Sequence, residues 1–313
     1  MFMFSLSDAL LLSLMLAFVT GILGIPGLSF LVRATGALRK KVFMSKLALQ
    51  LARLGLLFIV AVTLLTGAAL AACWHQGWAG ETWLTSQQFW EAALYFCLIA
   101  LIFFGLYFIT WNKLSRFHLL HLFPSALAIV AAKAFLALVI WSLWREMDPL
   151  NPIWPNPESI FWPILVQVYI LSLAAGSALG LLYLLHRRNR DDFGRDYYRF
   201  ALGSTAKWGI FFSAISPLTC IWLFAVSREA LDLYALILPG AGYGLLLTLF
   251  ILGMLRIAKS THPLRHKFTI LLCPVLIWLI FTARLVSYLE MGDMVTQEDT
   301  VGTFIRAWQQ SLE

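Results

Sequence analysis

Residues 103–145 read FFGLYFITWNKLSRFHLLHLFPSALAIVAAKAFLALVIWSLWR, two apolar runs joined by a short basic turn at residues 111–118. Each run has about 20 residues, the length that an α-helix needs to cross the hydrocarbon core of a bilayer. Because the turn is short, this stretch predicts two neighbouring, antiparallel membrane helices. The basic residues of the turn place it on the cytoplasmic side.

The composition extends this prediction to the whole chain. Of the 313 residues, 61% are hydrophobic and 12% are charged, whereas a soluble domain carries about 25% charged residues. The chain is therefore predicted to be an all-α, multi-pass membrane protein in contact with lipid. Its net charge of +7 fits Lys- and Arg-rich cytoplasmic loops, so no nucleic-acid partner is expected. The four cysteines are isolated and form no metal or redox motif.

Eight apolar segments are long enough to span a membrane. The predicted spans are 8–32, 47–73, 89–110, 122–144, 160–185, 204–226, 232–255 and 268–288. The connections on one side of these spans hold 18 of the 23 Lys and Arg residues: Arg33, Arg39, Lys40, Lys41, Lys46, Arg53, Lys113, Arg116, Arg187, Arg188, Arg190, Arg195, Arg199, Lys207, Arg256, Lys259, Arg265 and Lys267. Since cytoplasmic loops are enriched in these residues, both termini are predicted on the outer side of a bacterial-type inner membrane.

A faint internal repeat divides the chain into two halves. Residues 27–32 (GLSFLV) and residues 180–185 (GLLYLL) are each followed by a basic segment and another span. Four helices return the chain to its starting side, so the halves would be parallel repeats. We predict two four-helix bundles, 1–145 and 146–313. The second ends in a tail whose apolar residues between Val301 and Leu312 share one helical face, as expected of a helix on the outer membrane surface.

Lys133 is the most unusual residue of the predicted spans, because it lies midway along the fourth. A charge at that depth costs about 3 kcal/mol unless it is paired, hydrated or neutral. No acidic residue lies deep in a predicted span. Side chains that could solvate the amine are Tyr95, Thr63, Thr66, Gln167 and Ser213. Three interpretations stay open: a neutral or snorkelled lysine, a group lining a hydrated cavity or ligand site, and a contact with another subunit.

The histidines lie in predicted loops or at helix ends, at His75, His118, His121, His186, His262 and His266. Membrane haems are usually held by histidines on facing helices inside a bundle, and these six positions do not fit that arrangement. His118 with His121, or His262 with His266, could hold a metal at the inner surface. No nucleotide-binding or hydrolase motif is present.

The turn Trp111-Asn112-Lys113-Leu114 resembles the turn between helices three and four of subunit I of the cytochrome bd-type quinol oxidases. The first hairpin is also similar, since residues 27–31 lead through basic residues to a helix that ends Leu65-Thr66-Gly67. The resemblance covers residues 10–225. It implies an outward N-terminus, two four-helix bundles, sites for two b-type haems and one d-type haem, and quinol oxidation on the outer side.

The chain departs from that family where the family holds its cofactors. The axial histidine of helix one corresponds to residues 18–21, and that of helix five to residues 163–167. The paired glutamates of helix three correspond to Ala92 and Ala100, and only residues 227–232 replace the long quinol-binding loop. We therefore expect no haem bound by this chain alone. Three alternatives stay open: a haem b shared with a partner chain, a haem held at the inner edge by His118 or His121, and a bound quinone.

These features predict a haem-depleted membrane subunit of a respiratory electron-transfer complex. It would act as a structural or quinone-interacting partner of a haem-bearing subunit, and at most as a quinone-reactive part of an oxidoreductase. One alternative is a transporter or channel with Lys133 in a hydrated pathway. Another is a quinone-reactive membrane anchor of a multi-subunit oxidoreductase, similar to the eight-helix anchors of the polysulfide-reductase type.

Overall fold

A computed structural model of the chain describes residues 6–76, 87–113, 117–147, 155–191, 193–226 and 233–285. Within these ranges eight helices are long and apolar enough to cross a membrane, and there is no strand. The helices are α1 (Leu6–Arg39), α2 (Val42–Gln76), α3 (Gln87–Ile109), α4 (His118–Met147), α5 (Phe161–Arg187), α6 (Arg195–Val226), α7 (Leu233–Lys259) and α8 (Lys267–Leu285). The predicted all-α membrane fold with eight spanning helices is confirmed.

The helices continue past the predicted spans at their basic ends. Only Lys40 and Lys41 separate α1 from α2, so both helices extend beyond the predicted spans 8–32 and 47–73. Likewise α6 begins at Arg195, well before residue 204. The apolar pattern ends at the first Lys or Arg residues of these connections. The helix continues through such residues, because Lys and Arg are good helix formers. Their long apolar stems let a helix continue into the interfacial region.

The pair α1 and α5 forms the centre of the molecule. In their most apolar windows, 67% and 61% of the residues are buried, against 28–44% for the other six spans. The close packing depends on glycine. A Cβ at Gly24 would lie 1.8 Å from the backbone oxygen of Ser172, and one at Gly176 would lie 2.9 Å from the carbonyl carbon of Gly24. Small residues allow two membrane helices to approach this closely.

The other helices pack around this pair. In the first half α1 contacts α2, α2 contacts α3, α3 contacts α4, and α4 returns to α1. In the second half α5 contacts α6 and α6 contacts α7. Buried residues of α7 and α8 join one hydrophobic cluster with α1, α2, α5 and α6, so the packing is continuous across residue 145. The division into bundles at 1–145 and 146–313 stays a prediction.

Successive helices run antiparallel, so the C-terminal ends of α1, α3, α5 and α7 lie beside the N-terminal ends of α2, α4, α6 and α8. We call this end the basic side, since it carries the Lys- and Arg-rich connections. The assignment of this side to the cytoplasm, with both termini outside, stays a prediction. The amphipathic tail predicted between Val301 and Leu312 lies outside the described residues, as does Leu114 of the turn.

Candidate functional site

Lys133 lies at the middle of α4, and its amine is held by two groups of α5. Nζ donates to the backbone oxygen of Tyr169 at 3.3 Å and to the hydroxyl of Ser172. The same amine lies 4.9 Å from the centre of the Tyr169 ring. In return, the Tyr169 hydroxyl donates to the backbone oxygen of Lys133 at 2.7 Å. We call these three residues the Lys133 site.

The Ser172 hydroxyl also donates to the backbone oxygen of Tyr169, at 2.7 Å. Its hydrogen is therefore engaged, and its lone pair accepts the bond from the lysine. The backbone of Ser172 is the segment that touches Gly24 of α1. The Lys133 site is thus attached directly to the crossing of the two central helices, so its geometry depends on that crossing.

The described residues leave one bonding position of the Lys133 nitrogen unused. An ammonium group donates three hydrogen bonds, and two acceptors surround this one. A neutral amine would donate two and keep a free lone pair. In either state, the nitrogen can bind one further polar atom supplied by a ligand, a water molecule or a partner chain.

The lipid-facing surface of α4 runs past this site. Lys133 is only partly buried, and Val130, one turn earlier on the same helix face, is 66% exposed. Residues three apart are neighbours on a helix. A hydrophobic molecule dissolved in the bilayer can therefore contact α4 beside the Lys133 site.

The hydrogen bonds of Lys133 go to Tyr169 and Ser172 rather than to the side chains that the sequence suggested. The hydroxyls of Thr63 and Thr66 donate to backbone oxygens one turn earlier on α2. Tyr95 is 63% exposed on α3, and Ser213 is buried on α6. The actual partners, Tyr169 and Ser172, lie in a helix whose rotational setting a single sequence does not reveal.

Gln167 belongs to a second polar cluster, formed by α5, α6, α7 and α8. Its amide donates to the Tyr243 hydroxyl at 3.2 Å and to Cys220 Sγ at 3.4 Å. The guanidinium carbon of Arg284 lies 3.9 Å from the centre of the Tyr243 ring, and Arg284 donates to Cys220 Sγ. The Tyr243 hydroxyl and Ser216 Oγ are 2.6 Å apart. We did not predict this cluster from the sequence, because Gln167 was considered only as a partner of Lys133.

The turn that carries the family resemblance lies on the basic side. Trp111 has the Arg33 guanidinium 4.7 Å from its ring centre and the His121 ring at 5.1 Å, edge to face. His121 is fully buried, and its ring centre lies 4.6 Å from that of Tyr107, with the two ring planes tilted by 36°. Its Nε2 lies 3.2 Å from the Tyr107 backbone oxygen. Trp111 thus connects α1, α3 and α4, which is a structural role.

The other residues of the resemblance are spread over the molecule. Asn112 and Lys113 are exposed at the end of α3. Thr66 is buried on α2 with its hydroxyl 3.8 Å from Cys97 Sγ, and a Cβ at Gly67 would make an ordinary contact with Leu94. The structure does not bring these residues together with the turn.

The positions that the resemblance assigns to haem ligands are occupied in the packing of the helices. Thr20 donates to a backbone oxygen of its own helix at 2.7 Å, and Gly21 packs against Leu179 and Ala175 of α5. Gln167 is engaged in the second cluster, and Ala100 is buried. None of these residues offers the strong axial donor that haem iron needs. Among the described residues, no group of three His, Cys, Asp or Glu could hold a metal ion.

No family model, curated protein or solved structure matches the chain. The class established by the fold is a multi-pass, all-α membrane protein. Its function has to be argued from its own residues, of which Lys133 is the most informative.

Proposed function

We propose that this chain is a haem-free membrane subunit of a respiratory electron-transfer complex related to cytochrome bd-type quinol oxidase. It contacts a haem-bearing partner chain and binds a quinone at the Lys133 site. The proposal rests on the lysine amine in the middle of α4, where two acceptors of α5 leave one of its bonding positions unused among the described residues. The resemblance of the turn at Trp111 and of the first hairpin supports the choice of complex.

The chemistry of the Lys133 site suits a quinone. A quinone carbonyl oxygen accepts a hydrogen bond, and an amine in a low-dielectric environment donates a strong one. The Tyr169 ring beside Nζ provides a flat apolar surface for the quinone ring. The exposed face of α4 at Val130 lets the hydrocarbon tail stay in the bilayer. A site of this kind binds a lipid-soluble carbonyl compound.

Photoaffinity labelling in native membranes tests this proposal. A photoreactive azidoquinone should label peptides of α4 or α5 near Lys133, and excess unlabelled quinone should suppress the label. Lys133→Met should remove most of the specific label, since the amine can no longer hold the carbonyl. Lys207→Met is the matched control, because Lys207 is an exposed lysine of a spanning helix. Equal labelling of both variants, or labelling that excess quinone does not suppress, would exclude the quinone site.

A further inference from the structure

A cavity of about 300 Å³ opens on the basic side, between the α5–α6 connection and the α7–α8 connection. The residues that line it are Arg188, Arg195, Arg199, Thr261, His262, Pro263, Leu264 and Arg265. Four guanidinium groups thus surround one small space, and none of its described lining residues carries a carboxylate. The volume lies at the low end of the range for small-molecule sites.

A hydrogen bond between Arg195 and His262, at the wall of the cavity, determines which nitrogen of the histidine ring carries the hydrogen. Arg195 Nη2 and His262 Nδ1 are 3.0 Å apart. A guanidinium group only donates, so Nδ1 accepts and the neutral ring carries its hydrogen on Nε2. Loss of hydration, and then the positive charges of Arg195, Arg265 and Arg199, lower the pKa of His262 from its ordinary value. At pH 7 the His262 ring is therefore neutral. Its Nδ1 accepts the hydrogen bond from Arg195, and its Nε2–H is a donor.

The described acids near the cavity, Asp191 and Asp196, do not neutralise this surface. The Asp191 carboxylate accepts bonds from Arg187 at 2.7 Å and from Gln50 at 2.9 Å, so it is engaged with α5 and α2. Asp196 is exposed in the first turn of α6 and is not part of the lining. The cavity keeps an excess of positive charge and hydrogen-bond donors.

We propose that this cavity binds the phosphate group of a molecule with net negative charge. Guanidinium groups form paired, charge-assisted hydrogen bonds with phosphate oxygens, and Thr261 adds a hydroxyl. The cavity lies where the spans of α5 and α7 end and those of α6 and α8 begin, which is the depth of the lipid headgroups. Basic pockets between helix ends on the cytoplasmic side are suited to anionic phospholipids. A soluble phosphate ester is the second source of the same chemistry.

The test measures lipid binding to the purified full-length protein by native mass spectrometry. Detergent-solubilised protein is mixed with phosphatidylglycerol or phosphatidylcholine, and glycerol 3-phosphate is added in separate samples as a soluble competitor. The cavity variant is Arg195→Gln/Arg199→Gln/Arg265→Gln. The matched control, Arg39→Gln/Lys40→Gln/Lys41→Gln, removes three positive charges from the same side of the molecule but outside the cavity.

We expect the cavity variant to bind phosphatidylglycerol about tenfold more weakly or worse, since each removed charge lowers the attraction. The control should bind it nearly as the unmodified protein does. Phosphatidylglycerol binding that glycerol 3-phosphate does not displace identifies a lipid headgroup as the source, whereas displacement identifies a soluble phosphate ester. Equal binding by cavity variant and control, or equal binding of phosphatidylcholine and phosphatidylglycerol by the unmodified protein, would overturn the proposal.

Discussion

Replacing Gly24 with alanine is expected to lower the free energy of unfolding by about 3 kcal/mol or more, the upper range for overpacking a core. The added Cβ would lie 1.8 Å from the backbone oxygen of Ser172. No rotation of a side chain relieves a collision with backbone, so α1 and α5 have to separate along their crossing. The measurement is an unfolding titration with SDS in mixed micelles, followed by tryptophan fluorescence.

Two other glycines provide a graded control for this experiment. A Cβ at Gly105 on α3 meets nothing within 4 Å, so Gly105→Ala should be neutral or stabilise the helix by up to about 1 kcal/mol. A Cβ at Gly21 meets the flexible end of Leu179 at 2.8 Å, so Gly21→Ala should fall between the two. If Gly24→Ala unfolds at the same SDS fraction as Gly105→Ala, the helices do not cross as described.

Replacing Lys133 with leucine is expected to reduce the activity of the native complex at least tenfold. A hydrogen bond contributes about 0.5–1.5 kcal/mol between neutral groups and about 1.5–3 kcal/mol when one group is charged, and leucine removes the donor to the ligand entirely. Membrane insertion should stay normal or improve, because leucine is favourable and lysine unfavourable at the centre of a spanning helix. Quinol-dependent electron transfer and the amount of inserted protein are measured in the same membranes.

The controls separate the role of the amine from a general packing effect. Lys207→Leu changes an exposed lysine of α6 and should leave activity unchanged. Ser172→Ala removes one of the two groups that hold the lysine, so it should raise the KM for quinol more than it lowers kcat. Full activity of Lys133→Leu would leave the lysine without a functional role and would contradict the proposed site.

The membrane helices could be predicted from the sequence because their signal is local. An apolar run of 20 residues has one stable conformation in a bilayer, since the backbone must satisfy its own hydrogen bonds. The helix ends were predicted less well. Residues such as Arg39 and Arg195 end the apolar pattern without ending the helix.

The contacts of the candidate site could not be predicted because they are not local. Lys133 stands out in the sequence, but its partners Tyr169 and Ser172 lie 36 and 39 residues away. Which faces of α4 and α5 meet is decided by the close approach of Gly24 to Ser172. Nothing in a single sequence distinguishes that glycine from its neighbours Gly21 and Gly27. The cavity on the basic side could not be predicted for the same reason, since its walls come from two connections that are far apart in the sequence.

The central claim is that this chain works without haem of its own beside a haem-bearing partner. The most direct test is to purify the tagged full-length chain from its native membranes in mild detergent, then determine its protein partners and its reduced-minus-oxidised spectrum. We expect a partner chain in stoichiometric amount that carries the b-type haem signal. We expect no such signal from this chain when it is expressed alone with excess haem. A stoichiometric b-type signal from the isolated chain, abolished by His121→Ala or His118→Ala, would contradict it.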